Sequence, residues 1–253
     1  MTIETPKQSY IPALKTLWQE AFGDSDAFLD MFEKTAFHSD RCRCVTENGD
    51  VVAALYWFNC SYHSKQIAYL YAIATLKSHR GQGLCRALME DTHRHLKELG
   101  YHGALLVPGS PKLFDFYKKI GYQTCSYLSE IRCKASADTV AIRQIGAKEY
   151  AILRRALLPK NGVVQENENL DFLKQQADFY AGDGFLLTAR SEADVLYGLE
   201  LLGNKDIAPA IVHSLNASQG LFRVPGNGIP FAMFYPLDDT DTIPPSYFGL
   251  AFD

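Results

Sequence analysis

The chain lacks any run of about 18 apolar residues, the length that a membrane-spanning helix needs. It also lacks an excess of basic residues: the net charge is −4, which argues against nucleic acid as the main partner. The opening MTIETPKQSY has neither the basic nor the apolar block of a secretory signal. None of the six cysteines has CxxC spacing, so we expect reduced thiols, a cytoplasmic location and no metal site.

The chain does contain enough apolar material for a substantial core, with 253 residues of which 47% are hydrophobic. Strand-like and helical segments alternate, which predicts an α/β or α+β fold. The hydrophobic pattern lapses around 135–140, so we place a boundary between a first domain, 1–136, and a second domain, 137–253. In the second domain Asn169–Ala181 is predicted as a helix and Tyr247–Phe252 as a last strand.

The most informative segment is Leu70–Leu99, in which an apolar β-rich run leads through Arg80-Gly81-Gln82-Gly83 into an amphipathic helix. A glycine turn at such a junction leaves backbone N–H groups unpaired, next to the positive end of the helix dipole. These groups form a binding site for a diphosphate, which glycine lets approach closely and to which Arg80 adds a charge. The segment therefore predicts a phosphorylated cofactor. No such turn follows the corresponding strand of the second domain, at 203–205.

Two nucleotide-binding motifs are excluded for this turn. The residues from Gly81 begin as GxGxxG, but Arg86 replaces the third glycine and Gly103 stands where a dinucleotide site has an acidic residue. A P-loop would need GK[ST].

Two segments resemble motifs of the Gcn5-related N-acetyltransferases, the GNAT superfamily. Ser78–Gly83 resembles motif A, [R/Q]-x-x-G-x-[G/A], with Ser78 where the family usually has Arg or Gln. Ser110–Tyr122 contains FYKKIGY, which resembles the FYxKxGF of motif B. The resemblance spans about residues 10–134. The fused second part and the lead-in Ile73-Ala74-Thr75 look most like the subgroup related to "enhanced intracellular survival" acetyltransferases.

The resemblance implies a GNAT fold, with a mixed central sheet flanked by helices and a smaller, degenerate GNAT-like second domain. It also implies acetyl-CoA as the acyl donor. Ile73–Thr75 would pair with the pantetheine arm, a backbone N–H near Ala74 would face the oxyanion, and Arg80–Arg86 would hold the pyrophosphate. The implied cofactor contacts are Ile73, Ala74, Thr75, Arg80, Gly81, Gln82, Gly83, Leu84, Cys85, Arg86 and Ser110.

Tyr117 matches the family tyrosine that protonates the departing coenzyme A sulfur. A phenol suits this role because its pKa of about 10 keeps it protonated at neutral pH. The alternative is a plain core position, because Tyr117 lies on the apolar stripe of its helix. The general base stays open between water, a carboxylate such as Glu47 or Glu130 and, as the subgroup implies, the C-terminal carboxylate of Asp253. For Asp253 the favoured interpretation is an edge strand that ends the chain without a catalytic role.

The expected activity is transfer of an acetyl group from acetyl-CoA to a primary amine by direct attack on the thioester. The alternative is a non-catalytic module that binds coenzyme A or an acyl-CoA as a sensor or scaffold. The acidic balance favours a cationic acceptor such as a polyamine, an aminoglycoside-like amine or a lysine. Acceptor identity, acyl chain length and oligomeric state, a homo-oligomer included, stay open.

The remaining aromatic and histidine residues are expected to be mostly structural, with a role in lining an acceptor pocket left open for some of the strand aromatics. Most of the strand aromatics are predicted to lie in the core: Tyr56, Trp57, Phe58, Tyr62, Tyr69 and Tyr71. His79 is placed at the entry to the helix, and His93 and His95 on its solvent face.

Overall fold

The computed structural model describes residues 1–238 and 243–252, which divide into two units. The first contains Met1–Gln123 and the described residues from Phe234 to Ile243; the second contains Thr124–Met233 and the described residues from Pro244 onward. This division falls after the first residue of the strand at 123–134, whereas the hydrophobic pattern predicts a boundary after the strand. As a division into domains, 136/137 stays a prediction. Asp253 lies outside the described residues.

The first unit is built on a mixed sheet in the order β1-β2-β3-β4-β5, antiparallel up to β4, with β5 parallel to it. Its strands are β1 (Thr2–Glu4), β2 (Cys42–Glu47), β3 (Asp50–Tyr62), β4 (Lys65–Thr75) and β5 (Gly103–Leu106). Its helices are α1 (Ile11–Phe22), α2 (Asp26–Thr35), α3 (Leu84–Glu98) and α4 (Pro111–Lys118). The predicted fold class is confirmed.

Local sequence signals account for several of these elements. The β2–β3 hairpin turns at Asn48 and Gly49, both with positive φ, as expected for an Asn-Gly turn. Ser25 caps α2, its hydroxyl accepting a hydrogen bond from the N–H of Phe28 at 3.2 Å. Gly100, with φ of +84°, follows the end of α3, where a left-handed residue is favoured.

Five of the six aromatic residues of β3 and β4 are buried, which confirms that most of them lie in the core, and Tyr71 is half-buried. Trp18 of α1 packs against Tyr56 at 5.1 Å and Tyr71 at 5.6 Å between ring centroids, and against Phe32 of α2 at 4.7 Å. Burying one such side chain contributes about 1.5–3 kcal/mol, so this cluster fixes α1 and α2 on the sheet. Trp57 points to the other face, where its indole N–H donates to the Tyr101 hydroxyl at 3.3 Å.

The second unit repeats this plan. Its sheet order β7-β8-β9-β10-β11 again ends in a parallel pair, β10–β11, and β6 follows β11. The strands are β6 (Gln123–Lys134), β7 (Ile142–Ile145), β8 (Asp178–Gly182), β9 (Phe185–Glu192), β10 (Val195–Gly203), β11 (Gln219–Pro225) and β12 (Ile229–Pro236), whose end from Phe234 belongs to the first unit. The helices are α5 (Ala147–Leu157), α6 (Glu168–Leu173) and α7 (Ala208–Ser214). This arrangement fits a second GNAT-like domain.

Two secondary-structure predictions for the second unit are wrong. The helix expected over Asn169–Ala181 ends at Leu173, and Asp178–Gly182 instead forms β8, paired with β7 and β9. The expected strand at Tyr247–Phe252 is absent from the described residues, where Tyr247 makes one isolated bridge to Gly162.

A fully buried ion pair lies at the centre of the second unit. Arg154 of α5 is 2% exposed and Glu200 of β10 is 0% exposed. The guanidinium donates twice to the carboxylate, Nε to Oε2 at 2.7 Å and Nη2 to Oε1 at 2.9 Å. The hydroxyls of Tyr150 and Tyr247 each donate to one carboxylate oxygen at 2.9 Å. The charges are therefore paired and hydrogen-bonded, which burial requires.

The chain end docks onto this unit through side chains. The Ser126 hydroxyl donates to the carbonyl of Phe248 at 3.2 Å and accepts from its N–H at 2.9 Å. The Gln165 amide donates to the carbonyl of Leu250 at 2.7 Å. Because side chains satisfy these backbone groups, the segment is ordered without joining a sheet.

Candidate active site

A bulge in β4 shapes the site in the first unit. Ala54 pairs with Ala74 and Tyr56 with Tyr71, so β4 has one residue more than β3 over this stretch. Ala72, within the bulge, has φ of +48°, a conformation uncommon for a residue other than glycine. The parallel pairing with β5 ends at Tyr69–Leu105, whereas β4 continues to Thr75. The predicted cofactor residues Ile73, Ala74 and Thr75 lie on this stretch beyond β5.

The glycine turn lies between β4 and α3. Gly81 and Gly83 have φ of +79° and +81°, and Gly83 is the N-cap of α3. A Cβ at either glycine would meet nothing within 4 Å, so the space in front of the turn is open. The first-turn amides of α3 have no partner within the helix and carry its positive dipole end. The turn therefore has the geometry of an anion site.

Two arginines brace the turn. Nε of Arg80 donates to the carbonyl of Thr75 at 3.1 Å, which ties the turn to the end of β4. Nη2 of Arg86 donates to the carbonyl of Lys119 at 3.2 Å, which ties α3 to the end of α4. Both arginines are exposed, so their charge is available to an anion at the turn.

The start of α3 at Leu84 also indicates which residues occupy the six positions of motif A. Counted from Arg80, the pattern [R/Q]-x-x-G-x-[G/A] places Arg in the first position, Gly83 in the fourth and Cys85 in the sixth. In this register the fourth-position glycine is the N-cap of α3. Ser78 then precedes the motif, and the departure from the family pattern moves to Cys85, whose pKa burial raises to about 11.

Tyr117 lies on α4 and is 7% exposed. Among the described residues its hydroxyl has no hydrogen-bond partner. Burial, with a smaller contribution from the Cys85 thiol, raises the pKa of Tyr117 above its usual 10. The phenol therefore stays protonated at neutral pH, and it can donate to an incoming group without breaking another bond.

The other predicted residues are less closely organised. Ser110 is the exposed N-cap of α4, and its side chain makes no capping hydrogen bond. Glu47, at the end of β2, has Oε2 at 4.0 Å from Nε2 of His79. Glu130 is exposed in β6, with Arg132 at 3.5 Å. The general base stays a prediction.

One histidine was placed wrongly by the sequence. His93 was expected on the solvent face of α3, but it is 7% exposed, and its Nε2 is hydrogen-bonded to the Tyr122 hydroxyl at 2.8 Å. Its ring also stacks on Tyr235 at 4.1 Å with an interplanar angle of 14°. Both tyrosines lie far from His93 in sequence, so the helical periodicity gave no signal for them. His79 and His95 are partly exposed.

The burial of His93 predicts a pH-dependent stability. Burial lowers the pKa of His93 from 6.5 to about 4. Between pH 4 and pH 6.5 the imidazole is therefore protonated in the unfolded chain and neutral in the folded chain. Its stabilising contribution is complete above pH 6.5 and is lost as the pH falls towards 4, by about 3 kcal/mol. We expect urea unfolding of His93→Gln to depend less on pH over this window than the wild type. His95→Gln is the control, and parallel curves for His93→Gln and the wild type would contradict the prediction.

Comparison with known proteins identifies the first unit. The family model described as "Acetyltransferase (GNAT) domain" matches residues 2–125, which include the bulged strand, the glycine turn and Tyr117. Residues 2–125, just under half of the chain, match the GNAT acetyltransferase family. No curated protein matches the chain.

Solved GNAT structures extend the likeness over most of the chain. A GCN5-related N-acetyltransferase from Kribbella flavida is 14% identical, with a TM-score of 0.71 over 92% of this chain and 70% of that one. A GCN5-related N-acetyltransferase from Anabaena variabilis is 12% identical, with a TM-score of 0.74 over 94% and 73%. Eis1 from Mycobacterium abscessus is 13% identical, with a TM-score of 0.69 over 94% and 74%. At these identities the likeness is one of fold. No described helix is long and apolar enough to cross a membrane.

Proposed function

We propose that the chain transfers an acetyl group from acetyl-CoA to a primary amine. The observation that carries the proposal is the bulged end of β4, which runs past its pairing with β5 and continues through a short 3-10 helix, Lys77–His79, to the open glycine turn. One continuous stretch of backbone thus offers amides to both ends of an extended pantetheine diphosphate. The GNAT assignment supports an acyl-CoA as that ligand.

Each part of acetyl-CoA has a proposed site. The diphosphate lies at the first-turn amides of α3, with Arg80 and Arg86 supplying charge. The pantetheine arm pairs with the backbone of Ile73–Thr75. An N–H near Ala74 then faces the thioester oxygen, where it stabilises the oxyanion of the tetrahedral intermediate.

The chemical step follows from this placement. The amine lone pair attacks the thioester carbonyl carbon, so a C–N bond forms and the carbonyl electron pair moves to oxygen. When the intermediate collapses, the C–S bond breaks with its electron pair on sulfur, and the Tyr117 hydroxyl donates its proton there. Water removes the extra proton from nitrogen, and solvent returns a proton to Tyr117. The products are the acetylated amine and coenzyme A.

Binding of the cofactor is tested with a matched pair of glycine variants. Gly83 and Gly100 stand at opposite ends of α3, with φ of +81° and +84°, and a Cβ at either meets nothing within 4 Å. We expect Gly83→Trp to weaken acetyl-CoA binding by about 10²-fold or more, because it displaces charge-assisted contacts of about 1.5–3 kcal/mol each. Gly100→Trp carries the same backbone strain and should bind like the wild type. Calorimetry with acetyl-CoA, coenzyme A and NAD measures this.

The acceptor is tested with a panel of three amines: spermidine, kanamycin and an Nα-blocked lysine. The release of coenzyme A is measured with each amine. Acetylation of any panel amine supports the transferase. Tight acetyl-CoA binding without turnover of any amine would favour a sensor or scaffold. Equal binding by the two glycine variants would overturn the proposed cofactor site itself.

A further inference from the structure

The buried histidine of α3 belongs to an anchor for the end of α4. Its Nε2 is hydrogen-bonded to the Tyr122 hydroxyl at 2.8 Å, and its ring stacks on Tyr235 at 4.1 Å. Tyr122 is 1% exposed. A buried hydroxyl without a partner is costly, so the His93–Tyr122 bond fixes both side chains. Nothing in the chemical step uses either of them.

Tyr122 is in turn connected to Tyr117 by backbone and by ring. Its N–H donates to the carbonyl of Tyr117 at 3.1 Å, closing the end of α4 around Gly121, which has φ of +106°. The two tyrosine rings meet edge to face, with centroids 5.8 Å apart and an angle of 63°. Tyr235 closes the other side, because a Cβ on Gly121 would meet its ring at 2.9 Å. The end of α4 therefore has little freedom to move.

The Tyr117 hydroxyl itself has no hydrogen bond to the described residues, so no polar contact sets its position. Its place is decided by the ring packing and by the helix end behind it. A donor that must meet a departing sulfur depends strongly on such placement, since a misplacement of about 1 Å can cost about 10²-fold in rate.

We propose that His93 and Tyr122 are positioning residues for Tyr117, with their hydrogen bond holding the phenol at the depth where it meets the leaving sulfur. This inference rests on the proposed function, in which Tyr117 is the proton donor. It assigns a role in turnover to a histidine that touches neither the diphosphate turn nor the bulge of β4 in any described contact.

A double-mutant cycle tests the proposal. Tyr122→Phe and His93→Phe each remove the same hydrogen bond while keeping a ring in place. We expect either variant to lower kcat by about 10-fold with the KM for acetyl-CoA unchanged. In a Tyr117→Phe background the same changes should alter kcat by less than about twofold, because the group they position is gone. The readout is coenzyme A release with the panel amine that reacts fastest or, if none reacts, with water.

The outcomes distinguish the positioning role of His93 and Tyr122 from the proposed function on which it rests. Tyr101→Phe is the control, since it removes another buried tyrosine hydroxyl, which accepts from Trp57 at 3.3 Å and donates to Asn59 at 2.5 Å, and it should leave kcat unchanged. If Tyr122→Phe has no effect on kcat, or the same effect in both backgrounds, the positioning role is overturned and the proton donor survives. If Tyr117→Phe itself is fully active, the proton donor is overturned, and the positioning role with it.

Discussion

Tyr117→Phe is expected to lower kcat by about 10²–10⁴-fold, the usual contribution of one general acid. The variant keeps the ring that packs on Tyr122 and loses only a hydroxyl that has no partner among the described residues. Stability and acetyl-CoA affinity should therefore stay close to the wild type. Steady-state kinetics with the panel amines, together with calorimetry on acetyl-CoA, measure the two quantities separately.

The matched control for Tyr117→Phe is Tyr127→Phe, which removes a hydroxyl from a side chain that is 37% exposed in β6. This control should change neither kcat nor binding. If the kcat of Tyr117→Phe lies within about threefold of the wild type, the loss is far smaller than the rate that one general acid usually contributes. That result would leave Tyr117 as a core residue of α4.

Arg154→Met should cost about 3–5 kcal/mol of stability, because it leaves the Glu200 carboxylate buried without its counter-charge. The two tyrosine hydroxyls that donate to Glu200 remain, but neither supplies a positive charge. The double variant Arg154→Met/Glu200→Leu should recover most of the loss, since apolar replacement of both partners of a buried pair is often neutral. Urea unfolding followed by far-UV circular dichroism measures all three proteins.

The next residue along the same helix gives the comparison for Arg154. Arg155 pairs with Glu166, but its side chain is 61% exposed. Exposed ion pairs contribute about 0–1 kcal/mol, so Arg155→Met should change the free energy of unfolding very little. Equal losses for the two arginine variants would show that burial of the Arg154–Glu200 pair has no energetic consequence.

The sequence predicted the strand, the glycine turn and the helix of the first unit well, because their signals are local, while the cofactor contacts assigned to them stay a prediction. A strand, a turn with two glycines and an amphipathic helix follow one another within thirty residues, and each needs only its own neighbours to be recognised. The observed φ values of Gly81 and Gly83 and the start of α3 at Leu84 agree with that interpretation. The role of Tyr117 came from a motif and stays a prediction.

What the sequence could not predict depends on distant partners. Asp178–Gly182 has a pattern compatible with a helix and becomes β8 because β7 and β9 flank it. The helical periodicity places His93 on the solvent face of α3. In the fold it is buried, because Tyr122 supplies a hydrogen-bond partner and Tyr235 a ring on which it stacks. The apolar end of the chain is docked by side chains of Ser126 and Gln165, which no strand periodicity encodes.

The division into units also has a consequence for synthesis of the protein. Each unit takes a piece from beyond residue 233: the first includes Phe234, and the second includes Tyr247, whose hydroxyl completes the hydrogen bonds to Glu200. A chain still on the ribosome lacks both pieces until these segments have emerged. Unlike tandem domains that fold one after the other from the N-terminus, the first unit cannot be completed before most of the second has been synthesised.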